Sequence, residues 1–300
     1  MRAQRIRDED VRADKQGEEF MKIARFRQGD GPARLGAVDG DDLISLDSLE
    51  LGDDVVAAAM LEPAARDAAT DGAERLAISS VTLLAPIARP PKFLAIGLNY
   101  VDHIEEGGRP VPEFPIFFNK QSTCVNDPNA EVPIPAAAPD NVDYEGELGM
   151  VIGKESRAVS QADAPSIVAG YTVVNDVSVR DWQRLAPTMT LGKSWDGHGP
   201  CGPWLVTTDE MPDPHGLRMQ TFVNGELRQD TTTDLMVFDC WHQIETLSTV
   251  CTLEVGDVIA TGTSSGVAAY FDPPKFLKHG DVCRIEVEGI GTLENTFVNE

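Results

Sequence analysis

Glu145 and Glu147 lie two residues apart in the run Asp143-Tyr144-Glu145-Gly146-Glu147-Leu148-Gly149-Met150-Val151-Ile152. The apolar residues that follow them have the composition of a β-strand, and on a strand residues i and i+2 point to the same face. Both carboxylates therefore aim at one point, and Gly146 leaves the opposite face clear. Two like charges that close repel, and burial makes the repulsion worse. A cation between them removes the repulsion, and an all-oxygen ligand set selects a hard ion: Mg²⁺ or Mn²⁺, with Ca²⁺ also admissible. The same spacing fits a solvated edge strand whose acids face water. Tyr171 to Val174 is again strand-like, and Asp176 lies just past its end. Asp176 is either a third ligand or the N-cap of whatever follows it.

A second group of residues bears on acid–base chemistry. In Asn99-Tyr100-Val101-Asp102-His103-Ile104-Glu105-Glu106-Gly107-Gly108, Asn99 stands where it would cap a short helix, and the glycines would end it. His103 and Glu106 fall at i, i+3 and share a face, whereas Glu105 points elsewhere. A carboxylate beside an imidazole fixes its tautomer and raises its basicity, as a general base requires. A solvent-facing ion pair is the ordinary alternative.

A helical turn running on from Asp176 would carry Arg180 at i+4 and Gln183 at i+7, and Gly192 permits close backbone approach next to Lys193. Two cations and an amide around a metal suit a carboxylate-bearing substrate whose developing enolate needs stabilisation. The competing reading is a plain ion pair of Arg180 with Asp181 or Glu147. Lys120 and Ser122 either touch substrate or orient their neighbours. Thr261-Gly262-Thr263-Ser264-Ser265-Gly266 follows an apolar strand and either offers donors to an oxyanion or is an ordinary turn.

Taken together these motifs resemble the fumarylacetoacetate hydrolase superfamily. The resemblance is carried by Tyr144-Glu145-Gly146-Glu147-Leu148, by Asn175 to Gln183 (NDVSVRDWQ), by Leu191-Gly192-Lys193-Ser194 and by Gly202-Pro203-Trp204. Val223-Asn224-Gly225-Glu226, Glu254 to Ile259 (EVGDVI) and Thr261-Gly262-Thr263 extend it in order and spacing over residues 90 to 298. It implies an α+β, mainly β chain whose C-terminal domain is a mixed β-roll. His103 and Glu106 would then sit on a mobile lid that closes over the metal. Arg180, Gln183 and Lys193 match the family's residues around the substrate, and Thr263 matches a contact in the loop. The chain departs from the family with Ser264 where Pro is usual and with Ala268 in place of Gly. A homodimer is also implied.

The expected activity is a metal-dependent hydrolase that cleaves a C–C bond in a 2,4-diketo acid and releases pyruvate. The substrate would be an acylpyruvate or a diketo-deoxy sugar acid. Oxaloacetate decarboxylation and isomerisation or hydration of an unsaturated 2-keto acid share the enolate and stay open. The contrasting class is a metal-holding binding protein without turnover; the intact His103–Glu106 pair and Lys193 argue against it, since binding alone needs no base.

Charge narrows the partners. Acidic residues number 49 against 25 Lys plus Arg, a formal charge of −24, so phosphates are repelled and nucleic acid and anionic membranes are poor partners. A small molecule is the expected one. No apolar run approaches the roughly 18 residues of a transmembrane span. Cys124, Cys201, Cys240, Cys251 and Cys283 show no C-x-x-C spacing and read as idle thiols in a reducing compartment, with the cytoplasm as default.

Residues 1–20 are strongly charged with little apolar content and read as a disordered extension. Residues 21–85 read as a small α+β N-terminal domain with a structural or capping role. Within it a helix over 54–69 is broken by Pro63, and the proline-rich stretch 86–91 links it to the catalytic domain at 90–298. Asn224-Gly225 marks a hairpin, and Asp239 to Leu253 includes a helix with Ile244 and Leu247 inward.

Overall fold

The computed structural model describes residues 21–300, so the expected extension at 1–20 lies outside the described residues. The strands are β1 (Lys22–Arg27), β2 (Arg34–Asp39), β3 (Asp42–Ser45), β4 (Arg75–Ala77), β5 (Thr82–Leu84), β6 (Phe93–Gly97), β7 (Ile116–Lys120), β8 (Val125–Asn126), β9 (Glu131–Ile134) and β10 (Val142–Asp143). They continue with β11 (Gly146–Ile152), β12 (Val168–Asn175), β13 (Ser178–Val179), β14 (Gly199–Thr207), β15 (Arg218–Val223), β16 (Glu226–Thr232), β17 (Val258–Ala260), β18 (Val282–Val287) and β19 (Gly291–Asn299). The α-helices are α1 (Val55–Ala59), α2 (Pro63–Thr70), α3 (Val101–Glu106), α4 (Arg180–Gln183), α5 (Thr190–Lys193) and α6 (Cys240–Val250).

A 12-stranded sheet runs β4-β3-β2-β1-β14-β12-β11-β17-β6-β7, with β5 on β1 and β8 on β14. A 5-stranded sheet, β16-β15-β18-β19-β9, packs against it. Most pairings are antiparallel; β17 with β6, β14 with β8 and β19 with β9 are parallel. The mainly β expectation with few helices therefore holds, and no doubly wound parallel sheet is present among the described residues. Among the described residues no helix is long and apolar enough to cross a membrane.

β11 and β12 are buried at every position, because both faces of the sheet are covered there. On one face Leu148, Tyr171 and Val173 share a core with Ile285, Leu293 and Phe297 of the smaller sheet and with Ile244 and Leu247 of α6. On the other, Val151 and Val174 pack with Val55, Val56 and Ala58 of α1. The N-terminal segment extends the main sheet directly, Ile23 pairing with Leu205. Its helices follow the sequence: Asp54 caps α1 by accepting from Ala57 N, and α2 begins at Pro63. The Asn224-Gly225 turn has φ of 51° and 80°, as a tight hairpin requires.

Two features of this framework position the site. Antiparallel pairing sets Gly146 opposite Asn175, which brings Glu145, just before β11, and Glu147, within it, beside the end of β12. The segment after Asp176 is not the helical turn expected from the sequence. Ser178 and Val179 pair with Asp143 and Val142, and the helix starts only at Arg180. The β-branched, fully buried Val177 and Val179 favour that short ladder over a helix.

Candidate metal centre

Glu145, Glu147 and Asp176 each offer an oxygen, and these atoms lie within 4.8 Å of one another. All three side chains are buried, so neither a solvated edge nor a capping role describes them. Three buried cations surround the group. Lys193 Nζ lies 2.5 Å from Glu145 Oε2 and 2.7 Å from Asp176 Oδ2. Lys120 Nζ lies 2.6 Å from Asp176 Oδ1 and also donates to the carbonyl of Lys193. Arg180 reaches Glu145 Oε1 at 2.6 Å and Asp143 Oδ2 at 2.7 Å. Its partners are thus Asp143 and Glu145, not the Asp181 or Glu147 weighed from the sequence. Gln183 Oε1 accepts from Arg180 Nη1 at 3.0 Å, and Arg180 Nη2 is buried without a partner among the described residues.

The charges do not cancel. Asp143, Glu145, Glu147 and Asp176 face Lys120, Lys193 and Arg180, which leaves one carboxylate over. Among the described residues Glu147 makes no ion pair; its Oε2 accepts one backbone N–H, from Gly262 at 2.8 Å, and the charge of Lys193 acts on it only from further off. Burial, then the charges of Asp176 and Glu145, push Glu147 well above the usual carboxylate range. For Glu145 burial pushes upward too, but Lys193, Arg180 and His103 together hold it below that range. Burial works against the charge on Lys193, and Asp176 and Glu145 more than restore it. Lys193 is therefore a fixed cation rather than a base. A buried, uncompensated carboxylate among three convergent oxygen donors fits a hard divalent ion.

A pH dependence follows. A carboxyl group with a raised folded-state pKa favours folding below the ordinary glutamate range, and that contribution is lost as pH rises through the raised value. Chelated protein should therefore lose thermal stability with rising pH through Glu147, and Mn²⁺ should restore more of it the higher the pH. Melting curves with chelator and with Mn²⁺ across pH read this directly. A Mn²⁺-induced shift that is the same at every pH would count against Glu147 as the ionising ligand.

Helix α3 docks on the loop after β17, near enough for the His103 charge to act on Glu145. His103 Nδ1 lies 3.4 Å from Glu106 Oε2. The other oxygen of Glu106 accepts from Gly266 N at 2.9 Å, and Asp102 Oδ2 accepts from Ser265 Oγ at 2.8 Å. The His103 ring meets Tyr270 edge-on, with centroids 5.8 Å apart. The lid reading of the sequence thus meets a helix in its docked arrangement, ended at Gly107 and Gly108 as expected. Asn99 does not cap it. Its side chain binds Phe238 N and O and Thr261 O, and Tyr100 occupies the cap position. Satisfying three buried backbone groups outweighs capping one turn.

The loop after β17, on which α3 rests, also borders the carboxylates. Gly262 holds φ at 101°, and a Cβ there would lie 2.7 Å from Asn99 Cβ. Thr263 Oγ1 donates to Gly146 O at 3.0 Å and accepts from Gln229 Nε2 at 2.8 Å. Ser122 donates to Pro90 O, away from the carboxylates. Sequence reasoning missed Asp143 and Gln229 and left Lys120 undecided. Polar residues inside strand-like runs were the signal available for them. The cysteines are free; burial pushes the Cys124 thiol up to about 11 and that of Cys201 up to about 12, consistent with idle thiols.

A family model for the fumarylacetoacetate (FAA) hydrolase C-terminal region matches residues 92–298, and one described as Rv2993c-like, N-terminal, matches residues 21–86. The mitochondrial oxaloacetate tautomerase fahd2 of Xenopus laevis is 39% identical over 295 residues, covering 93% of this chain and 90% of the relative. Among solved structures, fumarylacetoacetate hydrolase from psychrophilic Exiguobacterium antarcticum is similar with a TM-score of 0.83 at 36% identity, over 93% of this chain and 100% of that one. Maleylpyruvate hydrolase from Sphingobium sp. SYK-6, in complex with manganese (II) ion and pyruvate, is similar with a TM-score of 0.77 at 31% identity, over 93% and 99%. Sequence motifs, fold and these matches agree: the chain belongs to the fumarylacetoacetate hydrolase superfamily.

Proposed function

We propose that this chain moves a proton on a 2-oxo acid of the oxaloacetate type, interconverting its keto and enol forms with a divalent ion as cofactor. The observation that carries this reading is electrostatic. Lys193 and Arg180, both held charged, meet at Glu145 beside the docked His103–Glu106 pair, and Arg180 keeps one buried donor, Nη2, unspent. The oxaloacetate tautomerase from Xenopus laevis supports the substrate class.

Glu145, Glu147 and Asp176 would hold Mg²⁺ or Mn²⁺, which when bound supplies a Lewis acid for neighbouring carboxylate and keto oxygens. The rest of the reaction falls to side chains. Glu106 fixes the His103 tautomer by accepting from Nδ1–H, which leaves Nε2 as the base. In ketone-to-enol conversion His103 takes a proton from C3 of the substrate, and a proton is returned at the keto oxygen. Lys193 and Arg180 hold the negative charge that develops meanwhile, and Gln183 keeps Arg180 in place.

A second reading is C–C hydrolysis of a 2,4-diketo acid with release of pyruvate. It is favoured by the maleylpyruvate hydrolase complex with manganese and pyruvate, and by a His–Glu pair that could equally deprotonate water. The two separate in one comparison: ketonisation of enol-oxaloacetate against pyruvate release from acylpyruvates and diketo-deoxy sugar acids, with Mg²⁺ or Mn²⁺. Fast ketonisation with slow pyruvate release supports the tautomerase reading, and the reverse order supports the hydrolase. Residues 21–85 as a brace without site residues, a homodimer and a cytoplasmic location complete the proposal.

A further inference from the structure

Gly146 stands between the two glutamates of the triad, and its peptide groups are enclosed in a ring of three hydrogen bonds. Its N–H donates to Gln229 Oε1 at 3.1 Å. Gln229 Nε2 donates to Thr263 Oγ1 at 2.8 Å, and Thr263 Oγ1 donates to Gly146 O at 3.0 Å. The second N–H of Gln229 reaches Ser264 O at 3.1 Å. Every member acts in the sense its chemistry allows: the amide nitrogen donates, the carbonyl accepts and the hydroxyl does both. Gln229 and Thr263 are 2% and 4% exposed.

The ring stands in for a missing strand. On this side of β11 the pairing with β17 begins only at Gly149, so the Gly146 peptide has no ladder partner there. A side chain at Gly146 could not share the space, since its Cβ would lie 2.3 Å from Thr221 Oγ1. The orientation of this peptide sets the relative direction of the Glu145 and Glu147 side chains on either side of it. The same loop supplies the Gly262 N–H that holds Glu147 Oε2.

We propose that Gln229 and Thr263 are positioning residues of the metal centre. They hold the Gly146 peptide so that both glutamates converge. The inference rests on the reading of the triad as a metal site.

The test is the Mn²⁺ affinity of the full chain, measured by titration calorimetry after chelation and chelator removal, for wild type, T263V, T263S, Q229L and the double variant T263V/Q229L. Loss of an outer partner typically weakens metal binding ~10 to 100-fold, and that is expected for T263V and for Q229L. T263S, which keeps the hydroxyl, should bind as wild type does. The double variant should be no weaker than its weaker parent, because a ring opened once is open. Unchanged Mn²⁺ affinity in T263V with a raised KM would overturn the proposal and return Thr263 to substrate contact. If wild type itself fails to bind Mn²⁺, the metal reading falls first. Should Q229L not fold, the comparison of T263V with T263S decides alone.

Discussion

Glu147→Gln is expected to abolish Mn²⁺ binding and turnover together. Glu147 is the member of the triad that makes no ion pair among the described residues and accepts a backbone N–H from Gly262. Its charge is therefore the one that a divalent ion neutralises. Replacing a ligand must cost more than the ~10 to 100-fold lost when an outer partner is removed. The variant should nevertheless fold, because the neutral amide relieves repulsion from Asp176 and Glu145 that burial magnifies. Under chelation and at alkaline pH, E147Q should melt above chelated wild type. Calorimetric Mn²⁺ titration and a melting curve check both halves. Retained activity in E147Q after exhaustive chelation would end the metal assignment.

His103→Ala carries the next largest effect. General-base help is worth ~10² to 10⁴-fold, and loss of kcat in that range is expected for keto–enol conversion. Hydrolysis of a diketo acid should fall as far, since water must also lose a proton. Decarboxylation of oxaloacetate needs charge stabilisation but no such base, so in the same variant it should fall much less. Lys193→Ala should depress all three, because each passes through negative charge on the same oxygen. The comparison is kcat/KM for the three reactions at saturating Mg²⁺. H103A within a few-fold of wild type in keto–enol conversion would remove His103 from the chemistry.

The triad was readable from the sequence because it depends on local rules: an i, i+2 pair on one strand and an acid at the end of the next. Antiparallel pairing of those two strands supplied the rest. Lys193 was readable as a cation near the centre, but its two carboxylate partners, 48 and 17 residues away, were not. Arg180 was assigned from a helix that does not form. It reaches Glu145 because β10 and β13 pair, a contact between two short strands with no periodicity of their own. Gln229 was missed because its partners lie on the other sheet and 34 residues on in a loop. Asn99 looked like a cap because local propensity says nothing about buried carbonyls elsewhere that need a donor. Motifs therefore pointed to the candidate residues, and the non-local hydrogen bonds that orient them came only with the fold.

The central claim, divalent-ion-dependent proton transfer on a 2-oxo acid, is tested most directly by one rate. Ketonisation of freshly dissolved enol-oxaloacetate is followed with purified protein, first after chelation and then on adding back Mn²⁺. The account predicts the uncatalysed rate under chelation and a saturable acceleration when Mn²⁺ returns, absent in E147Q. An acceleration that survives chelation unchanged, or none in either condition, would contradict it.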